Sequence, residues 1–450
     1  MNKKLVALAA IVIIIIASVA IYYATLPPPA PPPEEKPPPP PEKPKVKMEF
    51  WTGFGGEMPA KWFWDNVSAA FEKETGVQVE VVHITSAEYW TKLASAFAAG
   101  APPDLFVTWG GGELKKYVEE GLVADISDLY REDWAKAQIP EAVAKSFTLN
   151  GKLWAIPYEV HSEWIFINRK LFKKVGVEIP SIEEGWTWEE FLDACKKFKA
   201  AGIVPVAMTG KSGWTLRFPM YYLVERLSGP EAFPKALERE ISFADFHLKP
   251  FEVAQQWVKK GYFQKGWEGH AYMDGYRYFA EGEAAMWIQG TWVVAMLGEA
   301  EKAGTVELDV VPFPYFSERP EPEVRKAIFG SPTGFSIASA SKNIDSAKEF
   351  LRFASKPEWL IKAARDWGTP VPQKVSIPEG TYHPVLKKCI DALATAPSFQ
   401  LRYATLAYPR EFATYVGDVY VEILIGTKTP EEGARAIEDK AVEFIGPLKA

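Results

Sequence analysis

The sequence predicts an α/β fold in two lobes, each a mainly parallel sheet flanked by helices. Three observations lead there. The chain has 450 residues, too many for one average domain, and 48% of them are hydrophobic, enough for two sizeable cores. From Val46 onward, short β-branched or aromatic runs alternate with amphipathic stretches, the order that builds a parallel sheet. Glycine-rich turns follow the first and third of those runs, at the carboxyl ends where parallel sheets bind their ligands.

Asn2, Lys3 and Lys4 precede an uncharged run from Leu5 to Leu26 that includes Ile11-Val12-Ile13-Ile14-Ile15-Ile16. As a helix this run spans about 33 Å, enough for a hydrocarbon core of about 30 Å, so residues 1–26 read as a membrane anchor or signal segment with its lysines inside. Cleavage after Ser18-Val19-Ala20 competes with an uncleaved anchor. The anchor is favoured because the run exceeds an ordinary signal core and holds no cysteine for a lipid. Residues 27–45 read as a stalk: twelve of the eighteen residues from Pro27 to Pro44 are proline, which favours extended polyproline II over a core.

The folded part opens with a strand at Val46–Trp51 and the turn Thr52-Gly53-Phe54-Gly55-Gly56. A helix follows at Pro59–Thr75, with Phe63, Trp64, Val67, Ala70 and Phe71 on one face and Gly76 as its stop. A strand at Val77–Ile84, a helix at Glu88–Ala99 and a strand at Asp104–Trp109 complete a β-α-β-α-β unit. Short strands at Leu153–Pro157 and Trp164–Asn168 flank Tyr158-Glu159-Val160-His161, a crossing between lobes. A second unit contains helices at Trp188–Ala201 and Leu216–Leu227 and strands at Val204–Met208, Ala284–Ile288 and Val306–Val311. Beyond Ser341, helices at Asp345–Ala354 and Pro430–Phe444 are the clearest.

Composition excludes several functions. A net charge of -7 lacks the basic excess that nucleic-acid binding needs. Two cysteines, Cys195 and Cys389, make neither a disulfide framework nor a cysteine metal site; one bridge between them or two buried thiols are the alternatives. The five histidines, at 83, 161, 247, 270 and 383, have no metal-ligand spacing, and no cofactor is called for. Gly210-Lys211-Ser212 fails as a phosphate loop because Pro205 stands where its first glycine belongs. Tyr221-Tyr222, which could suggest a ferric site, lies within a helix with one ring packed and the other solvated. Carboxylate pairs such as Glu183-Glu184 and Glu189-Glu190 follow from charge content, and no G-x-S-x-G elbow occurs.

Three stretches then point one way. Phe71-Glu72-Lys73-Glu74-Thr75-Gly76 leads through Val77-Gln78-Val79-Glu80 to Ala99-Gly100-Ala101-Pro102-Pro103-Asp104. Phe279-Ala280-Glu281-Gly282-Glu283-Ala284-Ala285-Met286-Trp287-Ile288-Gln289-Gly290-Thr291-Trp292 is the most specific. Gly334-Phe335-Ser336-Ile337 runs through Ser341-Lys342-Asn343 to Ala347-Lys348-Glu349-Phe350-Leu351. In this order they resemble the family 1 extracellular solute-binding proteins of ABC importers, the group that includes maltose-binding protein, over about Val46 to Leu448.

The resemblance implies a two-lobed periplasmic-binding-protein fold that closes on a solute in the cleft between lobes and delivers it to ABC permease subunits as a monomer without chemistry of its own. It places the first lobe at 46–158 and 289–333, the second at 159–288 and 334–450, and crossings near Tyr158–Ser162, Met286–Gly290 and Pro332–Phe335. Trp292 matches a tryptophan that stacks on sugar, His161 a position where the family has an acidic contact, and Trp109 lies beside a family aromatic. A saccharide suits the aromatic loops, since pyranose C–H patches stack on rings while hydroxyls bond to carboxylates, amides and guanidinium groups. The candidate ligand-binding residues are Phe54, Glu57, Trp109, Tyr158, Glu159, His161, Trp214, Trp287, Gln289, Trp292, Phe335, Trp367 and Arg402. A non-sugar solute and a surface-tethered enzyme acting on polysaccharide remain the alternatives.

Overall fold

The computed structural model describes residues 3–25, 46–53, 58–402 and 410–449, in two compact units, Met1–Lys45 and Val46–Ala450. In the first unit Lys3–Thr25 is a single 23-residue helix. Among the described residues no helix is long and apolar enough to cross a membrane. The expected stalk lies outside the described residues.

In the second unit the strands are β1 (Lys47–Thr52), β2 (Gln78–His83), β3 (Leu105–Thr108), β4 (Thr148–Leu149), β5 (Lys152–Leu153), β6 (Ile156–Asn168), β7 (Val204–Ala207), β8 (Ala284–Gly290), β9 (Leu308–Val311), β10 (Ile328–Ile337) and β11 (Phe399–Leu401). Nine of them form one sheet in the order β2-β1-β3-β10-β6-β8-β7, with β11 beside β10 and β9 beside β6. The expected β-α-β-α-β unit is present, and β1 pairs in parallel with both β2 and β3. Its helix Met58–Thr75 buries Phe63, Trp64, Val67 and Phe71, the predicted face, and Gly76 follows at φ 78°.

The second half of the sheet departs from the parallel expectation. β6 runs antiparallel to β8, β9 and β10, and the parallel pairs are β7 with β8 and the short β11 with β10. The cause is the path of the chain: β6 carries it from the first lobe into the second and β10 carries it back, so two neighbours that cross in opposite senses pair antiparallel. The two short strands expected around Tyr158–His161 are therefore one 13-residue strand, with a register shift opposite Thr333/Gly334.

Buried side chains show where each lobe ends. Phe50, Trp64, Phe106, Tyr158, Phe335, Phe350 and Trp367 share the first-lobe core. In the second lobe, alternate residues of β6 and β8 enter cores on opposite faces of the sheet, Ile165, Ile167, Met286 and Ile288 on one and Trp164, Phe166 and Trp287 on the other. Residues 289–333, expected in the first lobe, contribute Val293, Val294, Leu297 and Val310 to a second-lobe core. Conversely, 334–450, expected in the second lobe, begins with Phe335, Ile337, Phe350 and Trp367 in the first-lobe core, returning only with Val385 and Leu386. The crossings are thus β6, β10 and the segment between Trp367 and Val385. No crossing occurs at Met286–Gly290, because β8 pairs with the second-lobe end of β6 from Ile167 to Glu163.

Two smaller corrections follow. Tyr221 and Tyr222 are both buried, the hydroxyl of Tyr222 donating to the Glu163 carbonyl on β6 and accepting from the Phe329 amide on β10. Cys195 and Cys389 are both buried free thiols in different cores, so they form no bridge.

Candidate functional site

The ribbon of β6 and β10 is where strand ends from both lobes converge. Thr108, the last residue of β3, lies opposite Gly334, and Gly290, the last residue of β8, lies opposite Glu163. Trp109 and Thr291-Trp292 are therefore the first residues beyond carboxyl ends that abut the ribbon from opposite lobes, the position at which open α/β sheets bind ligands.

On the second-lobe side the rings form a platform. The indole of Trp292 lies over Gly290, where an added Cβ would come within 1.9 Å of it, and its Nε1 donates to the Tyr272 hydroxyl at 3.1 Å. Trp214 approaches Tyr272 at 5.2 Å and Trp292 at 6.1 Å between centroids, and Phe218 adjoins both indoles. The Arg402 guanidinium sits 5.2 Å from the Trp292 ring and 5.3 Å from Phe218, within cation–π range, and is hydrogen-bonded to Glu163. Burial pushes the Glu163 carboxyl above its ordinary range, and Arg402 offsets part of that rise. Trp214 is 42% exposed, so the platform is open to solvent on its side.

Local sequence explains the placement. Gly210 lies so close to the backbone of Glu268 that an added Cβ would sit 2.5 Å from it, and Ser212 Oγ accepts the amide of Tyr272 at the start of helix Tyr272–Ala280. The loop that superficially looked like a phosphate binder thus joins two segments of the second lobe. Trp214 follows in the same turn, and helix Arg217–Ser228 supplies Phe218.

Beside the platform runs a polar chain. His161 Nδ1 lies 2.9 Å from Thr291 Oγ1 and its Nε2 lies 3.2 Å from Glu159 Oε2. Glu159 is buried and also accepts from Thr369 Oγ1 at 2.6 Å. Burial by itself raises its pKa, but the charge of His161 and hydrogen bonds from His161, Thr369 and Thr333 outweigh it and hold the carboxyl below its ordinary value.

The first-lobe wall is leaner. Trp109 is half-buried against Trp90, with ring centroids 4.3 Å apart. The glycines after it make a turn: Gly110 has φ 71°, and an added Cβ would lie 2.5 Å from the Ser146 carbonyl oxygen. Phe54 and Glu57 lie outside the described residues.

Of the predicted residues, the structure brings together His161, Trp214, Trp292 and Arg402, with Glu159 behind His161. Tyr158, Phe335 and Trp367 instead pack with Trp64 in the first-lobe core, and Trp287 packs against Tyr272 and Phe279 in the second. They offer no face to a ligand because their strands or helices turn them inward. Gln289 is buried as well, on the face of β8 that carries Trp287. Tyr272, Phe218, Trp90 and Thr291 were not predicted. Tyr272 and Phe218 could have been flagged as aromatics in the first turn of helices that follow glycine- or serine-rich turns. Among the described residues no cluster of His, Cys, Asp or Glu could hold a metal ion.

The sequence profile of the bacterial extracellular solute-binding proteins matches residues 55–360, more than half of the chain. The chain belongs to this family. This solute-binding protein is 23% identical over 419 residues to an uncharacterised ABC transporter extracellular-binding protein of Pyrococcus horikoshii, covering 90% of this chain and 87% of that one. It is also 23% identical to the diacetylchitobiose binding protein of Streptomyces coelicolor, covering 86% and 89%. Among solved structures it resembles a protein described in work on xylan utilization by Caldanaerobius polysaccharolyticus, with a TM-score of 0.80 at 24% identity over 88% of this chain and 100% of that one. A chitin oligosaccharide binding protein matches with a TM-score of 0.80 at 22% identity over 89% and 99%. These similarities confirm the two-lobed fold.

Proposed function

We propose that this solute-binding protein captures a sugar or oligosaccharide between its lobes by hinge closure and hands it to the permease of an ABC importer. One observation carries the sugar: Trp214, Tyr272 and Trp292 form a partly exposed platform at a strand-end cleft, with Arg402 packed against it. Stacked C–H patches and a nearby cation are what a neutral polyol needs, whereas a polyanion needs several unpaired cations, and Arg402 is already bonded to Glu163. The names of the chitobiose- and chitin-oligosaccharide-binding relatives support the same reading. Ligand binding shifts a population between open and closed lobes, and transport needs no chemistry from this chain.

The sequence alone motivates a membrane anchor or signal segment: the uncharged run from Leu5 to Leu26 follows Lys3 and Lys4, the order expected of a segment whose lysines stay on the cytoplasmic side. The proline content of residues 27–45 is that of a linker or stalk, and a monomeric receptor is the accompanying expectation.

The test is tryptophan fluorescence and thermal shift of residues 46–450 against chito-, xylo- and malto-oligosaccharides, with amino acids, polyamines and phosphate esters as the other arm. Saturable binding of a saccharide that is lost in Trp292→Ala supports the proposal. Binding confined to the second arm overturns the sugar, and steady hydrolysis of a bound glycan overturns the receptor.

A further inference from the structure

Solute-binding proteins work by hinge motion, and in this one a single carboxylate touches every segment of the hinge. Glu159 lies on the first crossing, β6. Opposite it in the ribbon is Thr333 of the second crossing, β10, whose side chain helps to hold its charge, and from the third crossing Thr369 Oγ1 donates to it at 2.6 Å. The third crossing is stitched to β6 on either side of this point, Val160 donating its amide to the Pro370 carbonyl at 3.0 Å and Gln373 Nε2 donating to the Pro157 carbonyl at 3.1 Å. Glu159, Thr333 and Thr369 are all at most 2% exposed, so water competes little for these bonds.

The same carboxylate reaches the platform through a hydrogen-bonded chain. A carboxylate only accepts, so the Glu159–His161 contact assigns the ring proton to Nε2. Nδ1 pairs with the Thr291 hydroxyl at 2.9 Å, accepting from it when the ring is neutral and donating to it when the ring is charged, and Thr291 Oγ1 accepts the Ser162 amide at 3.4 Å. Thr291 is the residue before Trp292, whose indole meets the His161 ring edge-on at 5.5 Å. Both nitrogens of His161 are therefore engaged inside the protein, leaving none to hydrogen-bond a solute.

We infer that Glu159 and His161 are positioning residues: Glu159 locks the three crossings to one another and, through His161 and Thr291, sets the orientation of Trp292 to the state of the hinge. His161 thus acts on the indole and leaves solute contact to the platform. The inference concerns the cleft of the proposed receptor, and its hinge half stands whatever the solute is.

Both cysteines are buried and free, so spin labels go selectively onto Lys342→Cys in the first lobe and Lys235→Cys in the second, two exposed positions. Electron-electron distance measurements on the solute-free receptor should give one dominant inter-lobe distance in the parent and a broadened or shifted distribution in Glu159→Gln and in Thr369→Val. An unchanged distribution in both overturns the hinge role. Titration with a chito- and xylo-oligosaccharide mixture should show affinity reduced about tenfold in Glu159→Gln and in His161→Phe, with partial recovery in His161→Gln, which keeps both a donor and an acceptor. Loss in His161→Gln equal to that in His161→Phe, with a normal melting temperature, means that the imidazole itself contacts solute and overturns its positioning role. A parent protein that binds none of the mixture removes the sugar reading while leaving the distance test intact.

Discussion

The two lobes each carry a cluster of large rings, and the clusters differ in what else is present. In the first lobe Trp64, Tyr158, Phe335 and Trp367 meet at centroid distances of 4.9 to 6.4 Å, nearly sealed from water. In the second Trp214, Tyr272 and Trp292 meet at 5.2 to 6.1 Å, but Trp214 is 42% exposed and Arg402 lies over Trp292. Ring spacing does not separate a core from a site. A face left open to solvent, with a cation and hydrogen-bond donors fixed beside it, does.

Several substitutions sharpen that contrast, beginning with the largest expected effect. Trp64→Ala should destabilise the protein by about 3–5 kcal/mol in denaturant unfolding, because a fully buried indole leaves a cavity its neighbours cannot close. Solute affinity measured well below the new melting temperature should hardly change. A tenfold affinity loss at unchanged stability would place Trp64 in the site instead.

Titratable groups show the same contrast. His247 is buried among Phe243, Phe246, Phe251 and Tyr420, its Nδ1 donating to the Phe243 carbonyl and its Nε2 accepting from the Tyr420 hydroxyl. Burial pushes its pKa down to about 3, against a slight opposing pull from the Phe243 carbonyl. The unfolded chain therefore takes up a proton that the folded one refuses, and stability present above about pH 6.5 is lost as pH falls toward 3. Between pH 6.5 and 5 the loss should be about 2 kcal/mol in urea unfolding. In His247→Gln that part of the pH dependence should vanish; an identical slope in both proteins rules it out.

Gly290→Ala tests the open cluster directly. The added methyl occupies the space of the Trp292 ring, so the indole must swing away. Affinity should fall about tenfold, equivalent to about 1.4 kcal/mol, in the calorimetric titration that detects solute. If instead the melting temperature collapses, Trp292 serves the core more than the platform.

The smallest effect belongs to the lip of the cleft. Lys116 on helix Gly111–Glu119 of the first lobe lies 3.4 Å from Glu411 on helix Arg410–Ile425 of the second, both side chains well exposed. Lys116→Ala should change stability by less than about 0.5 kcal/mol and affinity less than twofold at moderate salt. A larger, salt-dependent loss of affinity would make this pair a latch on the closed state.

Much of this was legible in sequence because it is local. Periodicity located the helices Met58–Thr75, Trp188–Ala200 and Pro430–Phe444 within a residue or two, since burial of one face repeats every 3.6 residues whatever that face packs against. The stretch Phe279 to Trp292 pointed to the family, and Trp292 stands in the site. What tertiary structure alone decided is pairing. Nothing in Ala284–Gly290 says that its partner is the far half of β6, and from that pairing follow both the lobe to which residues 289–333 belong and the location of the third crossing between Trp367 and Val385. Nor does an aromatic residue announce whether it faces core or cleft: Trp287 and Trp292 are five positions apart in one motif, one sealed and one on the platform. A side chain's type is written in the sequence. Its surroundings come from strands and helices distant along the chain, and those surroundings set whether a ring stabilises the fold or meets a solute.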